Sequence, residues 1–184
     1  MPEIVRKSPA PPAVTQFEPV AFERPKVGER GRFEIPGYSA FELTCDEGTS
    51  YYGDDSAPPP LAYLSAGIAF CLLTHLQALV HAHRLRVQSI RVEQRLRYST
   101  TLATTMATLA APDGRCDGLE THVLVDSDEA PEKIALLVAQ AEAACMAHQT
   151  VLQPTPASLR VLLNGAAVDA RTHNGAEAPA APAD

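Results

Sequence analysis

Residues 58–75 read Pro58-Pro-Pro-Leu-Ala-Tyr-Leu-Ser-Ala-Gly-Ile-Ala-Phe-Cys-Leu-Leu-Thr-His75, and they predict a long helix with prolines at its entry. Proline is tolerated in the first turn of a helix, where its missing N–H has no helical partner, but not in the interior. Apolar side chains then recur at the spacing of one helical face. A helix from Pro60 to His83 is roughly 35 Å long at 1.5 Å per residue. We therefore expect a central, buried element.

Strand patterns stand on both sides of this helix. Residues 31–45 favour a hairpin-like pair of strands around a Pro36-Gly37 turn. Residues 87–98 alternate apolar and polar side chains, which is the period of a half-buried strand. Residues 101–111 and 119–125 predict two more antiparallel strands, so the three together form a meander.

A second helix is predicted after this meander, with Pro131 in its first turn. Its apolar face includes Cys145 and continues to His148, and the prolines at 154 and 156 end it. Residues 159–163 can add a final strand. The element order predicts an α+β fold with an antiparallel sheet.

The two ends of the chain differ from its middle. Residues 1–30 are rich in proline and charge and predict an extended or disordered arm. Residues 166–184 repeat alanine and proline and predict a disordered tail. One domain over residues 31–165 is left between them.

The overall charge and composition exclude several classes of protein. A formal net charge of -7 argues against nucleic acid as a partner, and no uninterrupted apolar run predicts a membrane span. The first residues lack the apolar segment of a signal peptide, so we expect a cytoplasmic protein with reduced thiols. No CxxC pair is present, and we expect neither a cofactor nor a metal. The arginines at 91, 95 and 97 favour a solvated or dimer-facing surface over an anion site.

Cys71 and Cys145 each lie on an apolar helix face, where a cysteine is usually an inert buried side chain. Two other interpretations stay open. His75 follows Cys71 by four residues and His148 follows Cys145 by three, so each pair shares a helix face, and a Cys–His pair can generate a thiolate. The same four residues could also form a Cys2His2 zinc site. Cys45 is interpreted, like Cys116, as incidental.

From residue 52 to 71 the chain reads Tyr-Gly-Asp-Asp-Ser-Ala-Pro-Pro-Pro-Leu-Ala-Tyr-Leu-Ser-Ala-Gly-Ile-Ala-Phe-Cys71, and residues 141–145 read Ala-Glu-Ala-Ala-Cys145. With the strand order between them, these segments resemble the OsmC/Ohr superfamily of osmotically induced and organic hydroperoxide resistance proteins. The resemblance implies an intertwined homodimer with a cysteine-bearing long central helix and a second cysteine-bearing helix. It also implies that Cys71 is peroxidatic and that Cys145 resolves it as a disulfide, which a dithiol then reduces.

The chain departs from that family's pattern near both cysteines. Peroxidatic members carry a glutamate after the helix-entry proline, and Leu61 takes that position here. They polarise the thiolate with an N-terminal arginine, for which Arg32 is a candidate beside Arg24 and Arg30. The second cysteine is usually followed by proline, and here by Met146. The candidates for activating the thiolate are therefore His75, His148 and Arg32.

Two functions follow from this comparison. The first is thiol-dependent reduction of organic hydroperoxides or hydrogen peroxide through Cys71 and Cys145, as part of oxidative stress defence. The second is a non-catalytic OsmC-like protein that binds a small hydrophobic ligand in the cleft of a dimer interface. The loss of the acid at Leu61 favours the second function, and the retention of both cysteines favours the first.

Overall fold

The structure is a computed structural model that describes the backbone of residues 22–23 and 29–33 and all of residues 41–102 and 111–176. Helices and antiparallel strands alternate in it, which confirms the predicted α+β class. Its elements are, in chain order, β1 (Phe22–Glu23), β2 (Glu29–Phe33), β3 (Phe41–Cys45), a 3-10 helix (Thr49–Tyr51), α1 (Pro60–His83), β4 (Val87–Thr100), β5 (Gly114–Ser127), α2 (Pro131–Ala144), α3 (Met146–Leu152), β6 (Ala157–Leu163) and β7 (Ala166–His173). They form two compact units, residues 1–62 and 63–184.

The first unit contains a three-stranded antiparallel sheet in the order β1-β2-β3. Strands β2 and β3 pair from Phe33 opposite Phe41 to Glu29 opposite Cys45, which confirms the predicted strand pair. The predicted turn between them lies outside the described residues. Most of the predicted arm of residues 1–30 does too, although β1 and the start of β2 fall within its range.

A loop held by one buried carboxylate follows β3. Asp46 is 5% exposed and accepts hydrogen bonds from the N–H groups of Glu47, Asp54 and Ser56 and from the Ser56 hydroxyl, at 2.7 to 3.0 Å. These bonds, above all that from the Ser56 N–H, lower the pKa of Asp46 to about 2. Glycine is required at position 53, because a Cβ there would lie 1.8 Å from the Glu47 carbonyl oxygen.

The predicted long helix is confirmed as α1, but its predicted burial is not. Only Ile68, Leu72 and Leu76 are buried, whereas Phe70 is 67% exposed. Half of the 24 residues of α1 are exposed. By length and composition alone α1 could also cross a membrane, a property that it shares with core helices of soluble proteins and that is weak evidence.

The end of α1 is a Schellman motif without glycine. Arg84 has a φ of 52°, in the left-handed region. Its N–H bonds the His81 carbonyl at 3.2 Å, and the Leu85 N–H bonds the Val80 carbonyl at 3.0 Å. Both bonds satisfy carbonyls that the helix end would otherwise leave open.

The core of the second unit lies between helices and a long hairpin. Strands β4 and β5 pair antiparallel along their whole length, with Ile90 opposite Val125 and Val92 opposite Val123. Buried residues of the core come from α1, from α2 and from Cys145, and side chains of both strands pack against them. The alternation of apolar and polar side chains predicted over residues 87–98 is confirmed in β4, and β5 is the strand that pairs with it. The strand predicted over residues 101–111 lies largely outside the described residues.

Two local predictions are wrong. The second helix is not continuous, because Cys145 is extended (φ -75°, ψ 102°) between α2 and α3. Residues 166–173 are not a disordered tail, because they form β7 and pair with β6. Asn164 and Gly165 both have positive φ, which is the geometry of a two-residue hairpin turn, so the chain folds straight back. The last eight residues lie outside the described part.

Candidate functional site

Two cysteines and one histidine converge in the second unit. The sulfur atoms of Cys71 and Cys145 and a ring nitrogen of His75 lie within 4.8 Å of one another. The long helix places Cys71 and His75 on one face because they are four residues apart. The start of α3 brings Cys145 to them. The side chains of Cys71 and His75 are both half-buried, whereas Cys145 is 0% exposed.

The two thiols have different surroundings. Both are free, so the pair is reduced. Burial raises the pKa of the Cys145 thiol, and the neighbouring Cys71 thiol raises it further. The backbone N–H groups of His148 and Ala147 act in the opposite direction and lower it. Cys145 is therefore a protonated thiol at neutral pH, next to a thiol that solvent can reach.

His75 contacts Cys71 at two atoms. Its Nδ1 lies 2.8 Å from the Cys71 carbonyl oxygen and 3.9 Å from the Cys71 sulfur. The short contact is a hydrogen bond in which Nδ1–H donates to the carbonyl, and this leaves the lone pair on Nε2. The predicted juxtaposition of Cys71 and His75 is therefore present, but its strongest hydrogen bond goes to the backbone. Activation of the thiolate by His75 stays a prediction.

His148 belongs to a separate polar group inside the core. It is 3% exposed, and its Nε2 lies 3.2 Å from the Thr121 hydroxyl. The same hydroxyl accepts a bond from Gln94 Nε2 at 3.4 Å. Among the described residues, His148 Nδ1 and Gln94 Oε1 have no hydrogen-bond partner. The ring of His148 is thus tied to the β4–β5 hairpin.

Sequence reasoning missed Gln94 and Thr121. They are directly opposite one another in the β4–β5 register, on the faces that carry the apolar side chains of each strand. A signal was available, since Gln94 interrupts the series Ile90, Val92 and Leu96 at the two-residue period. A polar side chain on the inward face of a strand requires a hydrogen-bond partner.

The remaining candidates are not in this cluster. Arg32 lies in β2, where its backbone pairs with Glu42, and its side chain is outside the described part, so its role stays a prediction. Leu61 lies in the first turn of α1 and is 48% exposed. Cys45 is in β3, and Cys116 is exposed in β5.

Two of the three arginines of β4 lie near carboxylates on an exposed surface. Arg91 lies 3.0 Å from Glu93, and Arg95 lies 3.8 Å from Glu93 and 3.9 Å from Glu120. A basic patch whose charges are paired in this way has little left for an anion. The interpretation as a solvated strand surface fits these contacts.

The chain was compared with known protein families and solved structures. The OsmC-like protein family matches residues 53–160, which include both cysteines and His75. No curated protein matches the chain. Among solved structures, the chain is similar to an OsmC-like hydroperoxide resistance protein from Jannaschia sp. CCS1, with 23% identity, a TM-score of 0.55 and coverage of 82% of this chain and 97% of that one.

Two further structures have the same fold. An OsmC-like protein from Mycoplasma pneumoniae is 16% identical, with a TM-score of 0.57 over 75% of this chain and 88% of its own. An organic hydroperoxide resistance protein OsmC from Legionella pneumophila is 14% identical, with a TM-score of 0.51 over 74% and 91%. At these identities the likeness shows the fold alone.

Proposed function

Because this chain belongs to the OsmC-like protein family, we propose that it reduces organic hydroperoxides or hydrogen peroxide with the cysteine pair Cys71 and Cys145. Similar structures carry hydroperoxide resistance in their names, which supports the substrate class. The observation that carries the proposal is the pair itself, two free sulfurs no more than 4.8 Å apart.

The proposed reaction has three steps. The Cys71 thiolate attacks the distal oxygen of the hydroperoxide, the O–O bond breaks, and the alkoxide leaves and takes a proton to become the alcohol. Cys71 is then a sulfenic acid. The Cys145 sulfur attacks it, a disulfide forms and water leaves. A dithiol reductant restores both thiols by exchange and is itself oxidised to a disulfide.

The environments of the two sulfurs support this division of roles. A peroxidatic cysteine has to meet a substrate from solution, and Cys71 is the half-buried member of the pair. A resolving cysteine meets only its neighbour, and Cys145 is fully buried. Its raised pKa keeps it protonated in the resting state, so one negative charge rather than two has to be accommodated.

Activation of Cys71 is proposed to come from His75, since Leu61 supplies no carboxylate. An imidazole 3.9 Å from the sulfur can stabilise the thiolate when the ring is protonated. The His75→Gln variant keeps a side chain that can donate a hydrogen bond but cannot become cationic. We expect it to slow alkylation of Cys71 at neutral pH.

A second copy of the chain is proposed to cover the exposed part of α1. Phe70 and Leu64 on α1 are exposed in one copy, and so is Leu136 on α2. Large apolar surfaces of this kind mark interfaces between proteins. Light scattering combined with size exclusion tests for the homodimer, and a monomer at micromolar concentration would contradict it.

The test of the activity is peptide mapping of the reduced protein after one equivalent of cumene hydroperoxide. We expect a Cys71–Cys145 disulfide within seconds to minutes. The Cys145→Ala variant should instead accumulate a sulfenic acid at Cys71 that dimedone traps, and Cys116→Ser should behave as the unsubstituted chain. If all thiols remain reduced after the peroxide is added, the result contradicts the peroxidase and favours the alternative, a non-catalytic protein that binds a small hydrophobic ligand. A search for such ligands of the dimer cleft is then the next experiment.

A further inference from the structure

We propose that the reduced protein binds one Zn²⁺ per chain through the sulfurs of Cys71 and Cys145 and the imidazole of His75. The site goes beyond the proposed peroxide chemistry and does not depend on it, although it uses the same two thiols. It also differs from the four-residue zinc set considered from the sequence, because His148 is not a member of the cluster.

The separations of the ligand atoms are close to what zinc requires. Zinc binds sulfur at about 2.3 Å and imidazole nitrogen at about 2.0–2.1 Å in a tetrahedral arrangement, which places neighbouring ligand atoms roughly 3.5–4 Å apart. The Sγ atoms of Cys71 and Cys145 and a ring nitrogen of His75 lie within 4.8 Å of one another. These separations have to shorten by about 1 Å for the three atoms to bind one zinc ion.

The hydrogen bond of His75 fixes the ring for coordination. A metal-bound histidine commonly donates its other ring N–H to a backbone carbonyl, which sets the tautomer and the ring orientation. His75 Nδ1–H does this toward the Cys71 carbonyl at 2.8 Å, and the lone pair is then on Nε2. The backbone N–H groups of Ala147 and His148 donate to the Cys145 sulfur, where they would stabilise a thiolate.

The charge of the site also favours a divalent cation. Two thiolates at this separation repel each other, and burial opposes the charge on Cys145. Zinc supplies two positive charges for the two protons that the thiols release to solvent, so the bound cluster carries no net charge.

The nature of the donors selects the metal. Thiolate and imidazole suit zinc, whereas magnesium and calcium require oxygen ligands. Three protein ligands leave the fourth tetrahedral position open. Solvent reaches the cluster at Cys71 and His75, which are half-buried, and not at Cys145, which is fully buried.

Titration of the reduced full-length protein with Co²⁺ alone, without oxygen, is the first measurement. Cobalt stands in for zinc and reports its ligands by absorption. We expect a thiolate-to-cobalt charge-transfer band and intense visible bands that saturate at one ion per chain and disappear when Zn²⁺ is added. The disulfide form should give neither. Absence of thiolate bands in the reduced protein would overturn the proposal.

Variants then test the ligand set. We expect Cys71→Ser and Cys145→Ser to lose the charge-transfer band. His75→Gln should weaken Zn²⁺ binding by more than about 10-fold, because loss of even an outer-shell partner costs roughly 10–100-fold. The matched control is the Cys45→Ser/Cys116→Ser double variant, which removes the two thiols outside the cluster and should bind zinc as before. Equal affinity in His75→Gln and the unsubstituted chain would refute the assignment of His75.

A mapping experiment covers variants that fold poorly. In the unsubstituted protein, Zn²⁺ should protect the half-buried Cys71 from alkylation and leave Cys116 reactive. Protection of Cys116 instead would refute the site. Peroxide reactivity is measured separately in metal-free buffer, so loss of one property is distinguished from loss of the other.

Discussion

Replacing Thr121 by valine removes a hydroxyl and keeps the shape of the side chain. In the structure that hydroxyl contacts the Nε2 atoms of both His148 and Gln94. Because His148 is buried and its Nδ1 already lacks a partner among the described residues, the ring is left with no hydrogen bond at either nitrogen. An unsatisfied buried polar group costs about 1–3 kcal/mol.

We therefore expect Thr121→Val to lower the free energy of unfolding by about 2 kcal/mol, which corresponds to a Tm lower by roughly 4–8 °C for a chain of this size. The matched control is Thr121→Ser, which keeps the hydroxyl and loses one methyl group, worth at most about 0.8 kcal/mol. Urea and thermal unfolding at one fixed protein concentration measure both variants. If the valine variant is as stable as the serine variant, the hydroxyl stabilises nothing and the interpretation of this polar group is refuted.

Three further predictions concern the loop of residues 46–56 before α1 and the C-terminal end of α1. The pKa of Asp46 is depressed to about 2 from 3.8, so its hydrogen bonds stabilise the loop above pH 4 and are lost as the pH falls toward 2. Amide exchange at Ser56 should report opening of the loop only in that acid range. Gly53→Ala should open the same loop at neutral pH, because its Cβ would overlap the Glu47 carbonyl, and a proteolysis site appearing there is the measurement. Arg84→Gly should raise the stability by up to about 1 kcal/mol, because glycine adopts the left-handed conformation without the strain of a Cβ, and an unchanged or lower Tm would contradict this.

The parts of the site that the sequence predicted are those that one helix determines. Cys71 and His75 share a face because four residues make about one helical turn, and this spacing is visible without any structure. The approach of Cys145 is non-local, so periodicity could not predict it, and it was implied only by the resemblance to a family. The Gln94–Thr121 pair depends on strand register, which a single sequence specifies weakly.

The wrong predictions have physical causes as well. The alanine content of residues 166–173 indicates disorder, whereas the preceding Asn164-Gly165 is a strong hairpin signal, and the hairpin is what forms. The helix through Cys145 has no proline or glycine to announce its interruption, and the structure offers no single side chain as its cause. The burial expected of α1 follows from its length and apolar composition, which do not say what covers the helix.

The interruption at Cys145 has a mechanical consequence. Formation of a disulfide draws two sulfurs from as much as 4.8 Å to about 2.05 Å. In an uninterrupted helix from Pro131 to Leu152 that displacement would tilt a rod of about six turns or break backbone hydrogen bonds, each worth about 0.5–1.5 kcal/mol. Here Cys145 is a single extended residue between the long helix α2 and the short helix α3. Rotation about its own φ and ψ angles can therefore accommodate the displacement. The change that a Cys71–Cys145 disulfide requires can then be confined to the backbone of Cys145, and the packing of α2 is kept.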